Sequence, residues 1–306
     1  MGSPNLTRRR LLGALAAAPL LRPATALAQQ ARPASRAIPS SGEALPLVGL
    51  GSWITFDVGD DGRAREASVE VMRAFFAAGG RLIDSSPMYG TAQEVIGYGL
   101  EKLGRPAGLF SADKVWTPFG SGGRAQVAQS ARRWGVSRFD LLQVHNLLAW
   151  EDHLPMLFEM KAAGRLRYVG ITTSHGRRHD EMARLMASQP LDFVQFTYNL
   201  VDREAEQRLL PLARERGIAV IVNRPFQGGA LLRRLARAPL PPWAAEIDCA
   251  SWAQFALKFI VSHPAVTCAI PATTRVDHVR ENVGAGAGSL PDAAMRARMA
   301  ATLERR

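Results

Sequence analysis

Four residues suited to proton transfer follow one another in the first half of the chain: Asp84, Tyr89, Lys114 and His145. A free tyrosine is a poor acid at neutral pH because its pKa lies near ~10. A nearby lysine ammonium lowers that pKa, and a carboxylate keeps a buried lysine charged. A histidine can orient a carbonyl oxygen beside the phenol. Brought together, these groups predict a site for proton transfer.

These side chains need a scaffold that brings strand ends together. Short apolar runs bounded by turn residues alternate with longer runs of helical periodicity. The predicted strands are 47–52, 81–85, 109–115, 140–145, 167–172, 192–197, 218–223 and 266–270. The predicted helices are 66–78, 91–103, 122–134, 152–163, 177–187, 203–216, 249–262, 275–284 and 291–303. This α/β alternation predicts a single-domain (β/α)8 TIM barrel, and a doubly wound sheet is the alternative. No predicted strand is followed by GxGxxG, which disfavours that alternative.

The carboxyl ends of barrel strands converge on one mouth, where active sites lie. Asp84, Lys114 and His145 end three successive predicted strands, and Tyr89 follows the first of them. Each residue alone has a structural explanation, but their coincidence favours a common site. The long insertion at 227–248 follows the seventh strand at the same face. It is either a substrate wall or a surface insertion without a role.

The N-terminus is typical of an export signal. A basic patch precedes the short apolar run LLGALAAAPLL, and a small-x-small cleavage site ends at Ala28. Arg8 and Arg9 resemble a twin-arginine signal, which predicts a periplasmic protein, or a cytoplasmic one if the basic start is chance. The predicted organisation is a signal peptide at 1–28, a flexible linker at 29–44 and the barrel at 45–306.

Composition limits the partners. The net charge is +11 and falls to +7 without residues 1–28, and the remaining arginines are spread among acids. No nucleic-acid partner is therefore expected. The apolar run is too short and too rich in alanine for a comfortable membrane span, and no stable membrane insertion is expected after the signal is removed. Cys249 and Cys268 are expected to be buried free thiols, and no metal site is predicted because no carboxylate cluster joins His175 and His179.

Several motifs in order carry a family resemblance. They are VGLGSW, Asp84-x-x-x-x-Tyr89, Lys114, His145, YVGITT, FVQFTYN and AIPATTRVDHVREN. Over residues 45–285 the chain resembles the aldo-keto reductase superfamily. The resemblance implies a catalytic tetrad of Asp84, Tyr89, Lys114 and His145, with Tyr89 as the general acid. The implied reaction is reduction of an aldehyde or ketone, a small molecule, with hydride from NADPH, or alternatively NADH. It also implies a dinucleotide extended across the barrel mouth without a Rossmann fold.

The resemblance assigns cofactor contacts along the barrel mouth. It implies that Thr172, Thr173 and Gln195 hold the nicotinamide carboxamide, and that Asn223, followed by Arg224, replaces an aromatic that stacks on the ring. At the adenosine end the implied contacts are Thr273, Thr274, Arg275, Glu281 and Asn282, with Arg275 pairing with a 2′-phosphate. Ala272 and His278 stand where many relatives carry cations, which leaves the choice between NADPH and NADH open. Trp53 and Trp116 follow strands and are predicted to line the substrate pocket.

A second functional class stays open at this stage. Outside the cytoplasm a dinucleotide enzyme has no obvious supply of reduced cofactor. The chain could then be a non-catalytic exported barrel that binds a ligand or partner and retains the four residues. Cofactor carried by the purified protein would favour the enzyme. The oligomeric state is not predicted.

Overall fold

Eight parallel strands alternate with helices in the part of the chain that the computed structural model describes, residues 1, 2 and 34–304. The predicted signal peptide lies almost wholly outside the described residues. A hairpin precedes the barrel and is formed by β1 (Ser35–Ala37) and β2 (Ala44–Pro46). The barrel strands are β3 (Leu50–Gly51), β4 (Leu82–Asp84), β5 (Phe110–Val115), β6 (Phe139–Val144), β7 (Leu166–Thr172), β8 (Phe193–Thr197), β9 (Ala219–Asn223) and β10 (Cys268–Ala269). The helices are α1 (Gly62–Ala77), α2 (Ala92–Lys102), α3 (Gly123–Trp134), α4 (Trp150–Ala162), α5 (His179–Ser188), α6 (Leu209–Arg216), α7 (Ala230–Leu235), α8 (Trp252–Val261), α9 (Val276–Gly284) and α10 (Ala293–Glu304).

The sheet closes on itself between its first and last strands. Parallel bridges join Val48 to Ala269 and Gly51 to Ala272. The backbone N–H of Gly49 donates to the Ala269 carbonyl at 2.8 Å. With the order β10-β9-β8-β7-β6-β5-β4-β3, this closure makes a (β/α)8 barrel in one domain, and the predicted fold class is confirmed.

Alternation along each strand decides what lies inside the barrel. In β5, Phe110 and Ala112 belong to the apolar cluster of the interior, and Lys114 is the next inward residue. Ser111 and Asp113 face outward, where Asp113 accepts a hydrogen bond from a side chain of α2. The strands on either side of β5 follow the same rule. At or just after the strand ends, the inward residues of β4 to β9 are Asp84, Lys114, His145, Thr172, Thr197 and Asn223.

The hairpin covers the end of the barrel that lies opposite the carboxyl ends of the strands. Ile38 and Leu45 are fully buried in the interior apolar cluster, and Glu43 forms ion pairs with arginines at the barrel base. The prediction of a linker over 29–44 is therefore wrong for residues 35–44. The strands there are only three residues long, too short for their alternation to stand out in the sequence.

Two predicted helices begin later than expected. The segment 203–216 starts with a 3-10 turn, and α6 begins at Leu209, which places Pro211 in its first turn, where a missing N–H is tolerated. In the segment 249–262, α8 starts at Trp252 because the Ser251 hydroxyl caps it by accepting from the Gln254 N–H at 3.2 Å. None of the described helices is long and apolar enough to cross a membrane.

The insertion at 227–248 is ordered. It contains a 3-10 turn at Gln227–Gly229, then α7, and a second 3-10 segment at Pro242–Ile247. Its second half packs on the barrel's outer helices, where the Arg298 guanidinium lies 4.2 Å from the ring centre of Trp243. Both cysteines are buried free thiols, and Cys268 faces the barrel interior.

Candidate active site

A buried ion pair lies beneath the mouth of the barrel. The Lys114 Nζ donates to Asp84 Oδ2 at 2.6 Å, and the two side chains are 0 % and 2 % exposed. Lys114 also donates to the Ser85 carbonyl at 2.7 Å, and Gln195 Nε2 donates to Asp84 Oδ1 at 2.9 Å. Burial lowers the pKa of Lys114, but Asp84 and other acidic neighbours raise it more, so the pKa is raised overall. The ammonium therefore stays charged without solvent.

Tyr89 lies directly above this ammonium. Its ring centre is 5.3 Å from Lys114 Nζ. Burial raises the pKa of Tyr89, and the opposing effect of Lys114 does not cancel it, so the pKa is raised overall. The expectation that Lys114 brings this pKa below its ordinary value is wrong for this structure, because desolvation of the phenolate outweighs the attraction of one ammonium. The phenol is thus protonated at neutral pH and can act as an acid.

A tight turn and a clamp hold Tyr89 in place. The next residue, Gly90, has φ +56°, and a Cβ there would lie about 2.3 Å from the Asp57 carboxylate. Asp57 Oδ1 accepts from both the N–H and the hydroxyl of Thr91, each at 2.9 Å. The loop after β3 is thereby fastened to the loop that carries the tyrosine.

His145 meets Tyr89 edge to face. The two ring centres are 5.7 Å apart at an interplanar angle of 84°. Burial, together with the Lys114 charge, holds the pKa of His145 well below its ordinary value, so the imidazole is neutral. Its Nδ1 lies 2.8 Å from the Ser86 hydroxyl. The four predicted residues are therefore brought together as expected, with a neutral phenol and a neutral imidazole above a charged pair.

A cavity of about 410 Å³ opens above these residues, and we call it the mouth cavity. The predicted site residues that line it are Trp53, Asp84, Tyr89, His145, Thr172, Thr173, Gln195, Asn223, Arg224, Thr273, Glu281 and Asn282. Lys114 lies beneath its floor. Thr274, Arg275 and Trp116 lie outside the lining, and Trp116 instead exchanges two backbone hydrogen bonds with the Gln126 amide.

One side of the mouth cavity offers amides and hydroxyls. Gln195 donates from its amide nitrogen to Asp84, and its oxygen accepts from Asn223 Nδ2 at 3.5 Å. Asn223 donates to the Thr173 carbonyl at 2.8 Å and accepts from the Thr197 hydroxyl at 2.7 Å. Thr172 accepts from the backbone N–H of Asn146 at 3.0 Å. This set of donors and acceptors fits a carboxamide, and Asn223 serves as part of the polar network where an aromatic would stack.

The other end of the mouth cavity leads to the start of α9. Thr273 accepts the Arg275 N–H at 3.1 Å, and its hydroxyl lies 3.3 Å from His278 Nδ1. The Arg275 side chain is exposed and paired with Asp277 through two hydrogen bonds, one of them 3.0 Å from Nε to Oδ1. Arg275 holds the pKa of Asp277 below its usual range. The predicted phosphate-reading arginine thus already has a carboxylate partner.

The wall of the mouth cavity between these ends includes the first part of the insertion. Gly228, Gly229 and Leu232 line it, which supports the substrate-wall interpretation of 227–248 for that part. Arg224 has φ +51° and lies beside Gly228, where an added Cβ would be 3.9 Å from its Nη2; its guanidinium carbon is 6.0 Å from the Trp53 ring centre. A cation and an indole therefore share one side of the entrance.

Sequence reasoning missed two residues that shape the site. Ser86 contacts His145. It lies two residues after Asp84, so alternation predicts that it also points into the barrel, and the sequence could have indicated this. Asn146 adopts a left-handed conformation with φ +53°, and its backbone N–H donates to the Thr172 hydroxyl. Nothing in the sequence indicated this conformation.

Comparison with known proteins places the chain in a family. The sequence profile of the Aldo/keto reductase family matches residues 47–301, and the chain belongs to this family of oxidoreductases. "Methylglyoxal reductase YeaE" of Escherichia coli is 29% identical over 246 residues, covering 78% of this chain and 84% of the relative. "NADH-specific methylglyoxal reductase" of the same species is 25% identical over 322 residues, covering 85% and 96%. An aldo/keto reductase from Klebsiella pneumoniae, solved with NADP and acetate, aligns with a TM-score of 0.73 at 23% identity, covering 85% of this chain and 92% of that one.

Proposed function

We propose that the protein reduces an aldehyde or ketone to an alcohol with NADPH as cofactor and Tyr89 as general acid. The observation that carries this proposal is the protonated, half-buried Tyr89 beside the neutral His145 and above the charged Lys114–Asp84 pair. The reduced nicotinamide, when bound, supplies the hydride. Tyr89 donates its hydroxyl proton to the carbonyl oxygen, and Lys114 stabilises the phenolate that remains. Asp84 keeps Lys114 charged, and His145 orients the carbonyl oxygen.

The proposed cofactor contacts follow the lining of the mouth cavity. Thr172, Thr173, Gln195 and Asn223 would hold the carboxamide end, and Thr273, Glu281 and Asn282 would hold the adenosine end. The two Escherichia coli relatives named for methylglyoxal reduction support a small carbonyl substrate. The direct test is loss of the reduced nicotinamide absorbance with a panel of aldehydes and ketones, using NADPH and NADH separately. Cofactor binding without turnover of any carbonyl would instead favour the non-catalytic barrel.

Cofactor choice is expected to depend on the Arg275–Asp277 pair. Arg275→Ala should weaken NADPH binding by about 10-fold and leave NADH nearly unchanged, because only NADPH carries the 2′-phosphate. Asp277→Asn should strengthen NADPH binding by about 3-fold, because it frees the guanidinium from its carboxylate partner. The measurement is the dissociation constant of each cofactor by fluorescence titration. Equal changes for both cofactors would contradict a role in reading the phosphate.

We further propose that the protein is exported to the periplasm as a twin-arginine substrate. This rests on the arrangement of Arg8, Arg9, the apolar run and Ala28 in the sequence. Arg8→Lys with Arg9→Lys should abolish the mature periplasmic form in a bacterial host, whereas Arg10→Lys, just outside the pair, should leave it. Fractionation with N-terminal sequencing measures both. Retention of Met1 in a cytoplasmic wild-type protein would overturn the proposal.

A further inference from the structure

Ser86 makes a buried contact with the rear nitrogen of His145. Its hydroxyl lies 2.8 Å from His145 Nδ1, and Ser86 is fully buried. The backbone N–H of Met88 donates to the same hydroxyl at 3.2 Å. These are the two partners of the Ser86 hydroxyl among the described residues. Among the described residues, His145 Nδ1 is therefore the one partner that can accept the proton of this hydroxyl.

The donor in the Ser86–His145 contact follows from a count of protons. A serine hydroxyl has one proton to donate, and here its oxygen already accepts from Met88. If His145 Nδ1 carried a proton, the hydroxyl would accept twice and its own proton would have no partner in a buried place. That arrangement costs the full desolvation of a polar group. The hydroxyl therefore donates to Nδ1, and the proton of the neutral imidazole resides on Nε2.

The alternative of a doubly protonated imidazole is disfavoured by the surroundings of His145. The charged group that faces it is the Lys114 ammonium, and Tyr89, protonated, lies across its edge. Asp84 is already paired with Lys114. A neutral ring has two tautomers, and they present opposite hydrogen-bonding groups to the mouth cavity.

We propose that Ser86 is a positioning residue that fixes His145 in the Nε2–H tautomer, so that a donor and not an acceptor faces the carbonyl oxygen beside Tyr89. The proposal rests on the proposed function for its catalytic consequence. An Nδ1–H imidazole would turn a lone pair toward the substrate oxygen, and two lone pairs repel. The serine thus decides whether His145 assists or opposes carbonyl binding.

The primary test is direct observation of the tautomer. Nitrogen-15 NMR of histidine-labelled protein, with the His145 signals assigned through a His145→Gln variant, distinguishes a protonated from an unprotonated ring nitrogen. We expect wild type to carry the proton on Nε2, and Ser86→Ala to show both tautomers. Ser86→Thr keeps a hydroxyl and should restore the wild-type spectrum. Ser85→Ala is the matched control, because the neighbouring hydroxyl is buried without a hydrogen-bond partner among the described residues.

The catalytic readout separates this proposal from the proposed function. Ser86→Ala should lower kcat/KM for a carbonyl substrate by about 10- to 100-fold, with cofactor dissociation constants unchanged. Ser86→Thr should recover most of this loss. An Nδ1–H tautomer in wild type, or an unchanged tautomer in Ser86→Ala, would overturn the inference even if wild type reduces carbonyls. An Nε2–H tautomer in a protein that reduces none would overturn only the proposed function. The wild-type spectrum keeps the test decisive should Ser86→Ala not fold.

Discussion

Replacement of Tyr89 by phenylalanine is expected to slow carbonyl reduction by about 100- to 10,000-fold, the range that a general acid contributes. Phenylalanine keeps the ring that packs against His145 and above Lys114 but has no proton to donate. Cofactor dissociation constants should change less than about two-fold, because the cofactor contacts proposed above come from other residues. The loss should therefore appear in kcat as well as in kcat/KM.

Tyr98→Phe is a matched control for that measurement. Tyr98 lies on α2, and its hydroxyl bonds to Glu66 on the exposed surface, away from the mouth cavity. Its activity should equal that of wild type. Activity of Tyr89→Phe within a few-fold of wild type on a good aldehyde would show that another group supplies the proton, and the mechanism would have to be reassigned.

Removal of the Lys114 charge is expected to destabilise the barrel and abolish activity together. Lys114→Met leaves the Asp84 carboxylate buried, at 2 % exposure, without its cation. Breaking a buried ion pair from one side costs about 3–5 kcal/mol. Urea unfolding monitored by circular dichroism measures this loss of unfolding free energy, and the same samples report residual reductase activity.

Lys102→Met provides the comparison, because its ion pair is exposed on both sides. Lys102 Nζ lies 3.4 Å from Glu66 Oε1, and the two side chains are 51% and 52% exposed. Solvent compensates the carboxylate that remains there, so we expect little or no loss of unfolding free energy. A double variant, Lys114→Met with Asp84→Leu, should regain stability relative to the single variant but not activity. Equal costs for the two lysine variants would contradict the role given to burial.

Alternation along the strands made most of the barrel and its central site predictable. Apolar runs located all eight strands, and polar residues at their ends located Asp84, Lys114 and His145. Successive side chains of a strand point to opposite faces, and a closed sheet brings the strand ends to one mouth. The places of these three side chains are therefore largely fixed. Most of the other predicted residues that line the mouth cavity came from the family resemblance and not from this alternation.

The features that escaped prediction depend on contacts between distant segments. The β1–β2 hairpin is stabilised by burial of Ile38 and Leu45 against the barrel base. Its strands are too short to give a recognisable alternation of apolar and polar residues in the sequence. Whether the pKa of Tyr89 is raised or lowered depends on the balance between desolvation of the phenol and the charge of Lys114. The degree of desolvation cannot be read from the sequence. The sequence suggests that Arg275 is a free cation, but the turn at the start of α9 places Asp277 next to it, and the two side chains form an ion pair.

The adjacency of Asp113 and Lys114 on β5 has a consequence for strand pairing. The two side chains point to opposite faces of the sheet, and burial raises the pKa of Asp113 to about 7. A slip of β5 by one residue would exchange the two faces. It would place the Asp113 carboxyl beside Asp84 in the interior and send the Lys114 ammonium among the outer helices. Two buried acids would then share a site with no counter-charge, so the misaligned barrel would be penalised electrostatically as well as by its apolar pattern.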